Sequence, residues 1–208
     1  MDYVDLYEIV TKFYPIGISD SNPSYFEFSG YKELRRICEK KGEQGTDDRW
    51  KSFLAAFKSK HPKILSIDNI SQMHHPCLSA SFQISVEKTE SITYTRELQT
   101  HISLLGPAFT IFGVETVTIN YLEATLHPLI IISPISTYAE YFITARKLVG
   151  DYYPKYQFVP FLLLENRIPG LRVNGAEYSH SEDSSIFQAL FTYENVTNFP
   201  YEGDFFYA

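Results

Sequence analysis

Two cysteines, Cys38 and Cys77, are all that 208 residues contain. That is too few for the disulfide framework by which small secreted domains compensate for a thin core. No apolar run approaches the ~20 residues needed to span a bilayer; the stretch from Phe158 to Leu164 is the longest comparable one, and Pro160 interrupts it. A membrane partner is therefore not expected. The ten glycines are scattered and form neither a phosphate-binding loop nor a dinucleotide fingerprint, and no Gly-x-Ser-x-Gly elbow occurs. Nothing in the sequence calls for a cofactor. From Val173 onward there is no Lys or Arg at all.

Positive charge is unevenly distributed over the whole chain. Residues 1 to 63 carry eleven basic and ten acidic residues, whereas the remainder carries seven basic and fifteen acidic ones, a net charge of −8 within an overall −7. Nucleic-acid binding relies on Lys and Arg displacing counterions from phosphates, so DNA or RNA is not an expected partner. The start, Met1 to Leu6, is acidic where an export signal is basic and then apolar, which makes the cytoplasm the expected compartment.

Aromatic residues, by contrast, are abundant, at 16% of the chain, with 16 Tyr and 16 Phe. Such side chains bury large areas and favour strands, which points to a β-rich core. The first 60 residues nevertheless carry helical spacing. Tyr3, Leu6, Tyr7, Val10, Phe13 and Tyr14 follow Asp2; Tyr31, Leu34, Ile37 and Cys38 precede Gly42; and Trp50, Phe53, Leu54 and Phe57 follow a cap at Thr46 or Asp47. After Pro62 the period becomes two. Leu78, Ala80, Phe82, Ile84 and Val86 alternate with Ser79, Ser81, Gln83 and Ser85, a strand with one buried and one wet face.

Ile92, Tyr94 and Leu98 continue the alternation after a turn at Lys88 to Ser91. Segments 109–112 and 114–121 follow, with Gly113 as a bulge or bend, and then Leu129 to Ile132. Thr137 and Glu140 have the spacing of a capping box for a helix reaching Gly150. Beyond it, Phe158 to Leu164 reads as a buried strand and Leu171 to Val173 as a short return strand. Ile186 to Tyr193 fits either a helix or an edge strand. The expected fold is α+β in a single domain over 1–208: N-terminal helices through residue 62 packed on a mostly antiparallel sheet, with one well-capped helix near 137–149.

Four groups have residue types that bear on a site. His74, His75 and Cys77 could ligate zinc or form a thiol and base pair of a hydrolase, with His101 or His127 completing a metal set. The plainer reading is a turn entering a strand that begins with a buried Cys. Glu115 with Glu123, or Glu87, Glu90 and Glu97, could meet as paired catalytic carboxylates, although charged residues are ordinary on outward strand faces. Lys32, Arg35, Arg36, Lys40 and Lys41 are interleaved with Glu33, Glu39 and Glu43, the pattern of a solvated helix face.

The fourth group is the C-terminus, where six acids and nine aromatics fall after Val173. Phe187, Phe191 and Tyr193 read as core anchors. Glu194, Tyr201, Glu202, Asp204, Phe205 and Tyr207 read as a contact surface in which rings supply area and carboxylates select a basic protein partner. The expected function is that of a non-enzymatic binding module, for example a cytoplasmic inhibitor or immunity-type protein neutralising a basic toxin. The alternatives are a hydrolase built on Cys77, or a structural subunit with the terminus as a homodimer contact.

Overall fold

The structure, a computed structural model, describes every residue except 45–46, 69–73, 123, 127, 177–182, 193–198 and 208, and omits the side chains of 42–44 and 68. Four helices come first. In α1 (Tyr3–Phe13), Asp2 and Asp5 form a reciprocal capping box, each carboxylate accepting the other's backbone N–H at 3.0 Å. The short α2 (Pro23–Glu27) starts on Pro23, with the Asn22 side chain accepting from the Ser24 N–H. Helix α3 (Ser29–Gln44) follows after one residue, and α4 (Asp48–Lys60) is capped by Asp47.

Three twelve-residue strands then form an antiparallel meander: β2 (Cys77–Lys88), β3 (Ile92–Ser103) and β4 (Ala108–Ile119). The short β1 (Ser66–Asp68) flanks β2, while β5 (Ala124–Thr125) and β6 (Leu129–Ile131) pair antiparallel with β4. After α5 (Ala139–Tyr152), β7 (Gln157–Phe158) returns parallel to β4. Two single-turn helices, α6 (Phe161–Leu164) and α7 (Ile186–Leu190), precede β8 (Tyr201–Glu202), which lies parallel to β6. The long path runs β1-β2-β3-β4-β6-β8. This is the expected α+β class with a mostly antiparallel sheet.

Both faces of the sheet are covered, unlike the one-sided burial read from the serine alternation. On one face Leu6, Val10, Leu34, Phe161, Phe187 and Leu190 enclose Cys77, Ala108 and Phe112. On the other, Trp50, Phe53 and Phe57 of α4 join Phe142, Leu148 and Val149 of α5 over Leu78, Phe82, Leu98 and Ile111. The N-terminal helices therefore divide between two layers. Ser79 and Ser81 are buried because the first layer lies on them, while Val86 and Ile92 are exposed where the strands run out beyond both layers. Each fully buried Phe or Leu contributes about 1.5–3 kcal/mol.

Four local expectations are corrected. Gly113 makes no bulge, since β4 passes through it in unbroken register with β3; the irregularity lies in β2, between Gln83 and Ser85. Thr137 and Glu140 do not form a capping box: a 3-10 turn covers Ser136–Tyr138, Tyr138 is the N-cap without a side-chain bond, and Glu140 lies 3.6 Å from the His61 ring instead. Phe158 to Leu164 is not one strand, because Pro160 has no N–H for a ladder and becomes the N-cap of α6. Leu171 and Val173 are buried, but the segment is not a strand; Leu171 O and Val173 N bond Ser184 across a loop.

Candidate functional site

The C-terminal segment is held at three levels. Its backbone joins the sheet edge, with Ile130 N–H donating to Pro200 O and Ile132 N–H to Glu202 O, at 2.9 and 3.0 Å. Gly203 then adopts φ +135, a conformation few L side chains allow, with its Cα close under Ser133: a Cβ there would lie 2.6 Å from Ser133 Oγ. The same Ser133 hydroxyl accepts from the Asp204 N–H at 2.8 Å. Asp204 closes the following turn by accepting from the Phe206 N–H at 2.9 Å, and Tyr207 N–H donates to Asp204 O.

The third level is Tyr207. Arg146 of α5 donates to its hydroxyl at 2.8 Å and stands over its ring and that of Phe158, and Phe142 meets it edge-on at 5.4 Å. Tyr207, half-buried and read from the sequence as a contact residue, thus anchors the segment. Between these fixed points Tyr201, Phe205 and Phe206 project outward, 39%, 56% and 94% exposed, with the first two rings 5.7 Å apart edge to face. Glu202 and Asp204 are exposed beside them. Glu194 lies outside the described residues. Phe187 and Phe191 are fully buried core anchors, as read from the sequence.

The acidic field extends inward from this edge. Burial first, and then repulsion from Glu202, push the Glu115 carboxyl above the usual range, against the pull of the Tyr138 hydroxyl. Glu115 also accepts from the Tyr94 hydroxyl and lies 3.4 Å from Arg96 Nε, while Arg96 Nη1 reaches Glu87 at 2.6 Å. Glu87 and Glu115, from the two different carboxylate sets, thus share the Arg96 guanidinium, an arrangement that balances charge across strands. Glu97 pairs with Ser81 elsewhere on the sheet, and Glu123 is outside the described residues.

Apart from His74, which is exposed, the described members of the histidine and cysteine group face inward. Cys77 opens β2 with no exposed surface, its thiol donating to Phe191 O at 2.8 Å. Cys38 of α3 donates to His74 O at 3.5 Å; burial pushes its thiol up to about 11. Lys41 reaches over both, donating to the carbonyls of His75 and Cys77 at 2.8 and 3.1 Å. Burial holds the His75 imidazole down to about 4, helped by Lys41, and His101 down to about 3, helped by His75. His101 stacks on Phe112 with Phe187 and Phe191 at its edges.

Two imidazoles held neutral by burial, the Cys38 thiol held protonated in the same way, and the enclosed Cys77 are components of a packed core. A nucleophilic thiol must meet its substrate, and Cys77 has no surface on which to do so. Among the described residues no three His, Cys, Asp or Glu side chains gather as a metal ion would require. His127 lies outside those residues.

No family model matches the chain, and neither the curated proteins nor the solved structures show a significant match to it.

Proposed function

We propose that this is a non-enzymatic binding protein whose C-terminal edge, Tyr201, Glu202, Asp204, Phe205 and Phe206, covers a basic partner protein. What supports the proposal above all is that Phe206 is 94% exposed on a backbone fixed from both sides, by Ser133 before it and by Arg146 through Tyr207 after it. Exposing rings to water is unfavourable, and ordering the segment that carries them costs conformational entropy. A binding surface regains both, because rings that are ordered in advance lose little freedom on association. Glu202 and Asp204, exposed beside the rings, select for positive charge and accelerate encounter.

An inhibitor of immunity type is the concrete form. Such a protein would cover the cationic surface with which a toxin holds an anionic substrate. A photo-crosslinking side chain at residue 206, compared in cells with one at the exposed Val4, tests this. Adducts with a basic protein from position 206 alone are expected. Adducts only with a second copy of the chain, or the same adducts from both positions, would overturn the proposal.

A further inference from the structure

A cleft of about 630 Å³ opens between α3, the first turn of α4 and the loop that follows α5. Its size is that of small-molecule sites, and it shares no residue with the C-terminal edge. Five cations line it, Arg36, Lys40 and Lys41 from α3 and Arg49 and Lys51 from α4, against the two carboxylates Asp47 and Asp48. The sequence pattern gave the α3 cations no role beyond a solvated face. Folding brings them opposite the N-terminus of α4, whose dipole adds partial positive charge.

The pairing is incomplete. Arg36 is engaged by Glu33, Arg49 by Asp47 at 2.7 Å and Lys51 by Asp48 at 3.2 Å, whereas Lys40 has no ion-pair partner among the described residues. A second, independent feature is Tyr153. It lines the cleft, is only 3% exposed, and its hydroxyl has no hydrogen-bond partner among the described residues. Burial pushes this phenol well above its usual range, so it remains a donor. Buried donors are nearly always satisfied, and one left open in a cationic cleft is a place for an acceptor.

The other wall is apolar and aromatic. The half-buried Leu104 lines it in front of the buried Leu78 and Ile102, and Tyr156 stands edge-on to Tyr153 with ring centroids 5.4 Å apart. We propose that the cleft binds a small organic phosphate of about mononucleotide size. Its phosphate would be held by Lys40, Arg49 and the Tyr153 hydroxyl, and its apolar body would lie against Tyr156 and Leu104. A short anion meets only the near-neutral N-terminal part of the chain, where a long polyanion would also meet the acidic remainder.

Calorimetric titration with ADP, inorganic pyrophosphate and adenosine at low salt tests the proposal. ADP is expected to bind most tightly, pyrophosphate more weakly, and adenosine least. Lys40→Gln and Tyr153→Phe, both confirmed as folded by circular dichroism, should each weaken ADP by about tenfold, the scale of one lost charge-assisted or buried hydrogen bond. Tyr153→Phe keeps the ring and so reports the hydroxyl alone. No binding of ADP or pyrophosphate at millimolar concentration would overturn the proposal. So would ADP binding that both substitutions leave unchanged, or ADP binding no tighter than pyrophosphate.

Discussion

Arg146 and Tyr207, sixty-one residues apart, are joined by a 2.8 Å hydrogen bond and by a guanidinium stacked over the phenol ring. The last described turn of the chain is thereby fixed to α5, and the exposed rings of Phe205 and Phe206 are held just before the anchor. A hydrogen bond and a cation–π contact at a half-buried site are together worth about 1–2 kcal/mol. Tyr207→Ala should lower global stability by no more than that while strongly raising hydrogen exchange at the amides of Asp204 and Phe206. Unchanged exchange at those amides would show that Ser133 and the β6–β8 pairing hold the segment without Tyr207.

Gly113 and Tyr138 give a second expectation. A Cβ on Gly113 would lie 2.5 Å from Tyr138 Cε1 and 2.9 Å from Ile131 Cβ, all of them buried, so Gly113→Ala forces the ring aside. Overpacking of this kind costs about 1–3 kcal/mol, measurable by denaturant unfolding. Because the Tyr138 hydroxyl lies within reach of Val114 O and Glu115, the same substitution should also disturb Glu115. In the background of Tyr138→Ala the cost should shrink, a coupling that a double-mutant cycle reads directly.

Much of this was visible in the sequence, and the failures have physical causes. The amphipathic stripes of α1, α3 and α4 and the alternation in β2 and β3 follow from period and capping alone. The short α2 had its own signal, Asn22 before Pro23, but only Tyr25 of its five residues is buried and no stripe accompanies it. Gly113 is ambiguous in the sequence because glycine serves two purposes in a strand, a bend or a close approach, and only the ring of Tyr138, arriving from 25 residues away, distinguishes them. The Thr137 and Glu140 spacing matched a capping box, yet the turn at Ser136 and the nearness of His61 to Glu140 took the chain another way.

The candidate surface divides similarly. Acid and aromatic residues near the C-terminus were legible by composition. That Tyr207 faces inward and Phe206 outward was not, since it depends on Arg146 and Ser133, which carry no local pattern. The basic cleft was hidden for the same reason. Mixed charge along α3 looks the same whether or not another cationic element lies opposite.

Buried histidines set the response to acid. In the folded protein His75 and His101 titrate near 4 and 3, below the unfolded value of about 6.5. The unfolded chain therefore binds protons first, and the stability these groups contribute is complete above about pH 6.5 and declines as pH falls toward 4. With two such groups the slope approaches about 2.7 kcal/mol per pH unit within that window. Urea unfolding at a series of pH values should show this decline between pH 6.5 and 5. His101→Gln should flatten it, and an unaltered slope would place the proton uptake elsewhere.

Thiol chemistry should be nearly silent. Neither cysteine is in a disulfide, both are buried, and burial pushes Cys38 up to about 11. Since the thiolate is the reactive form, a disulfide reagent at pH 7.5 should label neither residue in the folded protein and both in denaturant. Rapid native labelling of Cys77 would instead mean that the β2 entry opens, and would revive a nucleophilic role.

The most direct test of the binding function is the affinity for the partner identified by crosslinking at residue 206, measured with purified proteins at low and at high salt. Charge reversal in Glu202→Lys with Asp204→Lys should weaken binding at least about tenfold at low salt and less at high salt, because screening shortens the reach of exposed charges. Phe206→Ala should weaken it by about 2 kcal/mol at either salt, as the loss of a central aromatic anchor does. Affinity unchanged by both sets of substitutions at low salt would contradict the account.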